Sequence, residues 1–114
     1  MTPPDDLARM ADKATQVAGF LKGLASEHRL LILCRLVEGE ASVAQLIAAT
    51  GLAPTSMSQH LGKLKDEGVV AARRDHRTLH YRIEHPAALE VLRTLHRHFC
   101  AEADEGPGGG LSPG

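Results

Sequence analysis

A mainly α domain with a single β-hairpin (class α+β) is the fold that this sequence predicts, on three observations. Apolar residues recur at helical spacing from Leu7 almost to Gly68. Two short helical patterns inside that run are separated only by "GLAP", a tight glycine-bearing turn. After Gly68 the period shortens to that of a strand for one hairpin's length, then returns to helical.

The first helix is marked by Leu7, Met10, Ala14, Val17, Leu21 and Leu24, in alternating three-four spacing. Such a heptad seam is narrower than the stripe of a simple surface helix. It packs either on the chain's own core or on a second copy. Pairing is favoured, because a chain this small buries only a modest core alone. Ser26 reads as the N-cap of a second helix, Glu27 to about Glu38, ended by Gly39. Apolar residues cover most of its circumference, with His28 and Arg35 marking the polar strip. It should be the central buried helix, with Cys34 well inside the apolar face.

Ser42 caps a short third helix carrying Val43, Leu46 and Ile47. Gly51 suits its left-handed end, and Pro54 suits the first turn of a fourth helix running to Gly68. Val69–Arg74, a turn at Asp75–His76–Arg77 and Thr78–Ile83 then make the hairpin. The last helix begins near Pro86 and continues through "AALEVLRTLHRHFC". Tandem short helices followed by a hairpin are a winged helix-turn-helix, expected here over residues 1–101 as a homodimer. The remainder, 102–114, is acidic and rich in Gly and Pro, and is expected to be a disordered tail.

Hydrophobic residues make up 43% and charged residues 24%, which is ordinary for a globular chain, but aromatics reach only 3%. A deep aromatic-lined pocket is therefore not expected. No apolar run approaches the roughly 20 residues that span a bilayer. The opening "MTPPDDLARM" is acidic and lacks the apolar segment of a signal peptide. A reducing cytoplasm is the expected compartment, where two cysteines are not presumed to be a structural disulfide. There is no Cys-x-x-Cys and no second catalytic constellation, so a thiol enzyme is a weak reading and no cofactor is expected.

The net charge of −1 is uninformative about nucleic acid, but its distribution is not. Between Pro54 and Ile83 there are six Lys or Arg (Lys63, Lys65, Arg73, Arg74, Arg77, Arg82) against three acids (Asp66, Glu67, Asp75). On the wheel of the fourth helix, Met57, Leu61 and Leu64 point to the core. Thr55, Gln59, Gly62, Lys63 and Asp66 point away, with Ser56 close beside them. Hydroxyls and an amide near the start of such a helix reach phosphates and base edges in a major groove. Thr55, Ser56, Ser58, Gln59, His60 and Lys63, with Arg74 and Arg77 on the wing, are the candidate contacts to double-stranded DNA.

Together "LASEHRLLILCRL", "SVAQL", "TSMSQHLGKLKDEGVV" and "RRDHRTLHYRI" resemble the ArsR/SmtB family of bacterial winged-helix repressors, over about Leu21 to Cys100. The resemblance implies a homodimer, joined through its first and last helices, that leaves operator DNA when an inducer binds. Many such proteins sense metals, yet neither common metal site is intact here. Ser42 and Ala44 stand where a Cys-x-Cys would be. Of His85, Ala87, His98 and Ala101, which align with the site on the last helix, only two could bind a metal. No metal ligand set is assigned. "RLLILC" and the terminal "FC" instead resemble the persulfide- and redox-responsive branch of the family. That likeness implies a Cys34–Cys100 pair bridged by reactive sulfur species as the inducer.

Read alone, Cys34 favours inert packing, since free cysteine is among the most buried residue types; the resemblance and the loss of both metal sites favour the sensor instead. Cys100 falls at the shoulder of the last helix's apolar stripe, with His96 and Arg97 nearby to favour a thiolate. The negative end of the helix dipole opposes them. Cys100 is expected to react first and Cys34 to resolve it. A metal sensor built from His85, His96, His98 or the cysteines is the rival within the family.

Overall fold

The computed structural model describes residues 4–101. Helix α1 spans Pro4–Leu24 and α2 spans Glu27–Val37. A two-residue strand β1, Ala41–Ser42, leads into α3, Val43–Thr50, and α4, Pro54–Asp66. Strands β2, Val70–Asp75, and β3, Thr78–Ile83, precede α5, Pro86–His96, which runs on into a π-helical turn, Arg97–Ala101. The expected disordered tail at 102–114 lies outside the described residues.

Local chemistry sets the boundaries. Ser26 caps α2 by accepting from the Arg29 amide. At α3, Ser42 Oγ accepts from the Gln45 amide at 3.1 Å, while Gln45 Oε1 accepts from the Ser42 amide at 2.8 Å. This reciprocal pair is a capping box, which satisfies two otherwise orphaned donors. Gly51 ends α3 at φ 78°, in the left-handed region. Pro54 opens α4, where its missing N–H would be unpaired anyway.

The core lies where four helices converge: Ile32 and Leu33 of α2, Leu46 of α3, Met57, Leu61 and Leu64 of α4, and Leu92 of α5 are all essentially inaccessible. The expected core face of α4 is therefore present as read. Helix α2 is central, packing against α1, α3, α5 and β3.

Four features differ from expectation. The hairpin is part of a three-stranded antiparallel sheet in the order β1-β3-β2, with Ala41 opposite Tyr81 and Ser42 opposite His80. Its turn is tighter, because Asp75 pairs with Thr78 and leaves only His76 and Arg77 in the loop. His76 accordingly sits at φ 62°, the positive φ that two-residue hairpin turns demand. Helix α2 is not covered all round: Leu31 is 46% exposed and Cys34 is half-buried. Finally, the α5 chain winds as a π turn from Arg97, so an α-helical wheel misplaces Cys100.

Most of the α1 seam faces away from the chain's own core. Leu24 is buried, but Leu7, Met10 and Leu21 are 67%, 53% and 49% exposed. Near its end Phe20 stacks on the His85 ring, with centroids 4.7 Å apart. In urea, Leu61→Ala is expected to lower unfolding stability by about 2–5 kcal/mol. Ser42→Ala, which removes the capping box, should lower it by about 1 kcal/mol.

Candidate nucleic-acid face and dithiol site

Burial of Met57, Leu61 and Leu64 turns the opposite side of α4 outward. Thr55, Ser58, Gln59 and Lys63 are exposed there, while Ser56 and His60 are half-buried. Ser58, Gln59, His60 and Lys63 line a shallow open cleft with Arg29 of α2. The His60 ring meets His28 edge-on, with centroids 5.5 Å apart. Burial, followed by the nearby charges of Arg29, His28 and Lys63, holds its imidazole below the usual range. At neutral pH His60 therefore enters the cleft as a neutral hydrogen-bonding group.

On the wing the charges divide. Arg73 grips Glu40 with Nε 3.0 Å from each carboxylate oxygen and Nη2 2.8 Å from Oε1. The hydrogen bond from Arg73 is the main reason the Glu40 carboxyl stays below the usual carboxylate range. Because the folded value is lowered, the tie is intact at neutral pH and is lost only as pH falls through that lowered value. Arg82 lies 3.2 Å from Glu84. Two of the six cations counted in the sequence are thus paired with acids outside the counted stretch. Among the described residues Lys63, Lys65, Arg74 and Arg77 make no ion pair, and Arg74 and Arg77 flank a second cleft beside Ser42 and Val43 at the start of α3.

The two cysteines meet. Cys34 Sγ on α2 lies 3.1 Å from Cys100 Sγ on the π turn, and both are free thiols. Cys34 is half-buried and Cys100 exposed. Burial first, then the hydrogen bond with Cys100 and the negative potentials of Cys100 and Glu38, push the Cys34 thiol up to about 12. Cys34 is a protonated thiol at neutral pH. His96, expected to flank Cys100, instead faces Glu38, with Nε2 3.6 Å from Oε2. This contact ties α5 to the C-cap of α2 next to the sulfurs.

The histidines of the rival metal reading are placed otherwise. His85 Nδ1 accepts from the Ala87 amide at 3.1 Å, capping α5, and its ring packs on Phe20. Among the described residues no three His, Cys, Asp or Glu side chains converge on one point. No helix among those residues is long and apolar enough to cross a membrane.

Two features escape sequence reasoning. The Glu40–Arg73 pair joins residues far apart in the chain, with no local pattern to announce it. Arg29, only three residues after a capping serine, looks like any solvated arginine, yet its side chain is 12% exposed.

A compact helical core that turns one polar helix face outward beside a basic hairpin defines a winged-helix regulator. Residues 26–72 match the family described as "Bacterial regulatory protein, arsR family". The chain belongs to that family. It is 38% identical over 93 residues to the Biofilm growth-associated repressor of Xylella fastidiosa (strain 9a5c), with 82% of each chain covered. The crystal structure of the transcriptional repressor BigR from Xylella fastidiosa matches with a TM-score of 0.75 at 36% identity, covering 88% of this chain and 98% of that one. A homodimeric winged helix-turn-helix domain from Mycobacterium bovis, a possible ArsR-family transcriptional regulator, matches with a TM-score of 0.68 at 32% identity, covering 87% and 92%.

Burial and the neighbouring Cys100 hold the Cys34 thiol far above the ordinary range, so at pH 8 it stays almost wholly protonated. Iodoacetamide is therefore expected to label Cys100 at least tenfold faster than Cys34, as read by peptide mass mapping. Equal rates would contradict the burial assigned to Cys34.

Proposed function

We propose that this chain is a homodimeric transcriptional repressor that lets go of operator DNA when reactive sulfur species, or another oxidant, bridge Cys34 and Cys100. The observation that carries the reading is the 3.1 Å approach of two free thiols on separate helices. No intervening group has to move aside. A plain disulfide, with its bond of about 2.05 Å, needs the sulfurs drawn roughly 1 Å closer. One inserted sulfur, joined by two such bonds at an open angle, spans about 3 Å. The separation thus suits a longer sulfur link at least as well as a disulfide.

The chemistry follows from exposure. The Cys100 thiolate attacks the outer sulfur of a persulfide RSSH, releasing RSH and leaving Cys100–SSH. Cys34 then gives up its proton as its sulfur attacks Cys100 Sγ, and hydrogen sulfide departs to leave a disulfide. Retaining the extra sulfur needs a second RSSH as oxidant, which is reduced to RSH and hydrogen sulfide while a trisulfide forms. Cys34, held protonated, resolves rather than initiates.

DNA binding is assigned to α4 and the wing. Gln59 is suited to a bidentate pair with adenine, while Thr55, Ser56 and Ser58 supply hydroxyl donors near the helix start. Lys63, Arg74 and Arg77 are placed to neutralise phosphates, and His60 supports the cleft from its buried side. The exposed α1 seam supports dimerisation, as does the homodimeric neighbour. A dimer must set its two recognition helices about 34–36 Å apart to meet successive half-sites. Linking α2 to α5 beside that interface alters the spacing.

The deciding experiment compares operator affinity before and after persulfide treatment of the wild type, Cys34→Ser and Cys100→Ser, with mass spectrometry of each. The wild type should lose at least tenfold in affinity and gain a Cys34–Cys100 link, while both variants stay bound. A Cys34→Ser protein that still dissociates would sink the mechanism. Separately, Lys63→Ala and Arg77→Ala should each flatten the salt dependence of binding by about one unit of slope. Gln59→Ala should cost about 1–3 kcal/mol at a single base position.

A further inference from the structure

We propose that Arg29 is a positioning residue for DNA binding: it clamps the C-terminal end of α4 to the C-terminal end of α1, and so fixes the angle at which α4 is presented. The inference rests on reading α4 as the helix that enters DNA.

Three elements meet at this side chain. Arg29 stands in the first turn of α2. Its Nη1 donates to the Gly23 carbonyl of α1 at 3.0 Å and lies 3.6 Å from Glu67 Oε1, at the C-cap of α4. Only 12% of the side chain is exposed, and among the described residues its Nε is buried without a partner. Both contacts are made by the one terminal nitrogen, Nη1, which the long and largely buried stem carries to the junction of α1 and α4. The fit extends to α1. A Cβ added at Gly23 would come within 3.2 Å of Glu67 Oε1 and 3.5 Å of Arg29 Nη1. Gly23 therefore leaves the space that the Arg29–Glu67 pair occupies.

The clamp reinforces an apolar anchor. Of the α1 seam Leu7, Met10 and Leu21 are exposed while Leu24 is buried, so the end of that helix is held by Leu24 and takes a second, polar tie. The pair supplies one, and its other end is the helix whose outer face lines the Arg29 cleft. Recognition requires side chains held within a fraction of an ångström. Cys34 stands on the same helix as Arg29, so movement of α2 on sulfur bridging passes through this joint to α4.

The test uses the full chain and a DNA duplex that the wild type selects from a random-sequence pool. Failure of the wild type to select any duplex would refute the DNA reading itself, apart from the clamp. Arg29→Met keeps the aliphatic stem and removes the charged donor. It should leave the helical circular dichroism and the solution mass unchanged, weaken binding at least tenfold, and keep the salt slope of the wild type. The His60 imidazole should titrate at higher pH, because one of the cations holding it low has gone. Gly23→Ala, which crowds the pair without removing it, should weaken binding in the same direction, and this keeps the idea testable if Arg29→Met does not fold. Unchanged affinity in either folded variant overturns the proposal. So does a salt slope reduced by one in Arg29→Met, since that would make Arg29 a phosphate contact.

Discussion

Burial of Ile32, Leu33 and Leu36 along one side of α2 is the interaction on which the rest of the molecule depends. That helix touches α1, α3, α5 and β3, so its apolar side is the common floor for the helix-turn-helix and for the end where the two sulfurs meet. Apolar burial is non-directional and strong in aggregate, which leaves the polar edges of α2 free to specialise. Arg29 occupies one edge, against α1 and α4. Cys34 occupies another, against the end of α5. A single helix therefore contacts both Cys100 and, through Arg29, the C-cap of α4.

Charge is organised by the same economy. The basic count over α4 and the hairpin exceeds what is available to a ligand, because Arg73 and Arg82 are engaged by Glu40 and Glu84. The Glu40–Arg73 pair braces the wing against the loop before α3, next to the strand pairing of β1 with β3. Lys63, Arg74 and Arg77 are left facing outward. One set of arginines is tied to carboxylates while, among the described residues, another makes no ion pair, and composition alone does not separate them.

How much was legible in the sequence depended on whether the cause was local. Ser26, Ser42, Gly51 and Pro54 act within one helical turn, and each stands where its chemistry placed it. Met57, Leu61 and Leu64 announced the core side of α4 through spacing alone. Strand β1 was hidden because two residues cannot show a period and its partners, His80 and Tyr81, lie on a distant strand. The π turn was hidden because a helical wheel assumes the α period, and the error fell on Cys100. Arg29 was hidden because a long side chain can be buried against backbone carbonyls that leave no trace in the pattern. The cysteine pairing was legible only through resemblance; the 3.1 Å contact gives it a physical basis.

The π turn has one more consequence. Residues Arg97, His98, Phe99 and Cys100 are exposed, Phe99 by 62%, and a π turn is an uncommon winding often found at functional sites. Helix ends of this kind occupy the low-stability end of a protein's local opening energies. Drawing Cys100 toward Cys34 therefore deforms a terminal coil and leaves the apolar floor intact. The exposed sulfur thus sits on a fingertip and the half-buried one on the palm, two parts of the hand that can be displaced separately.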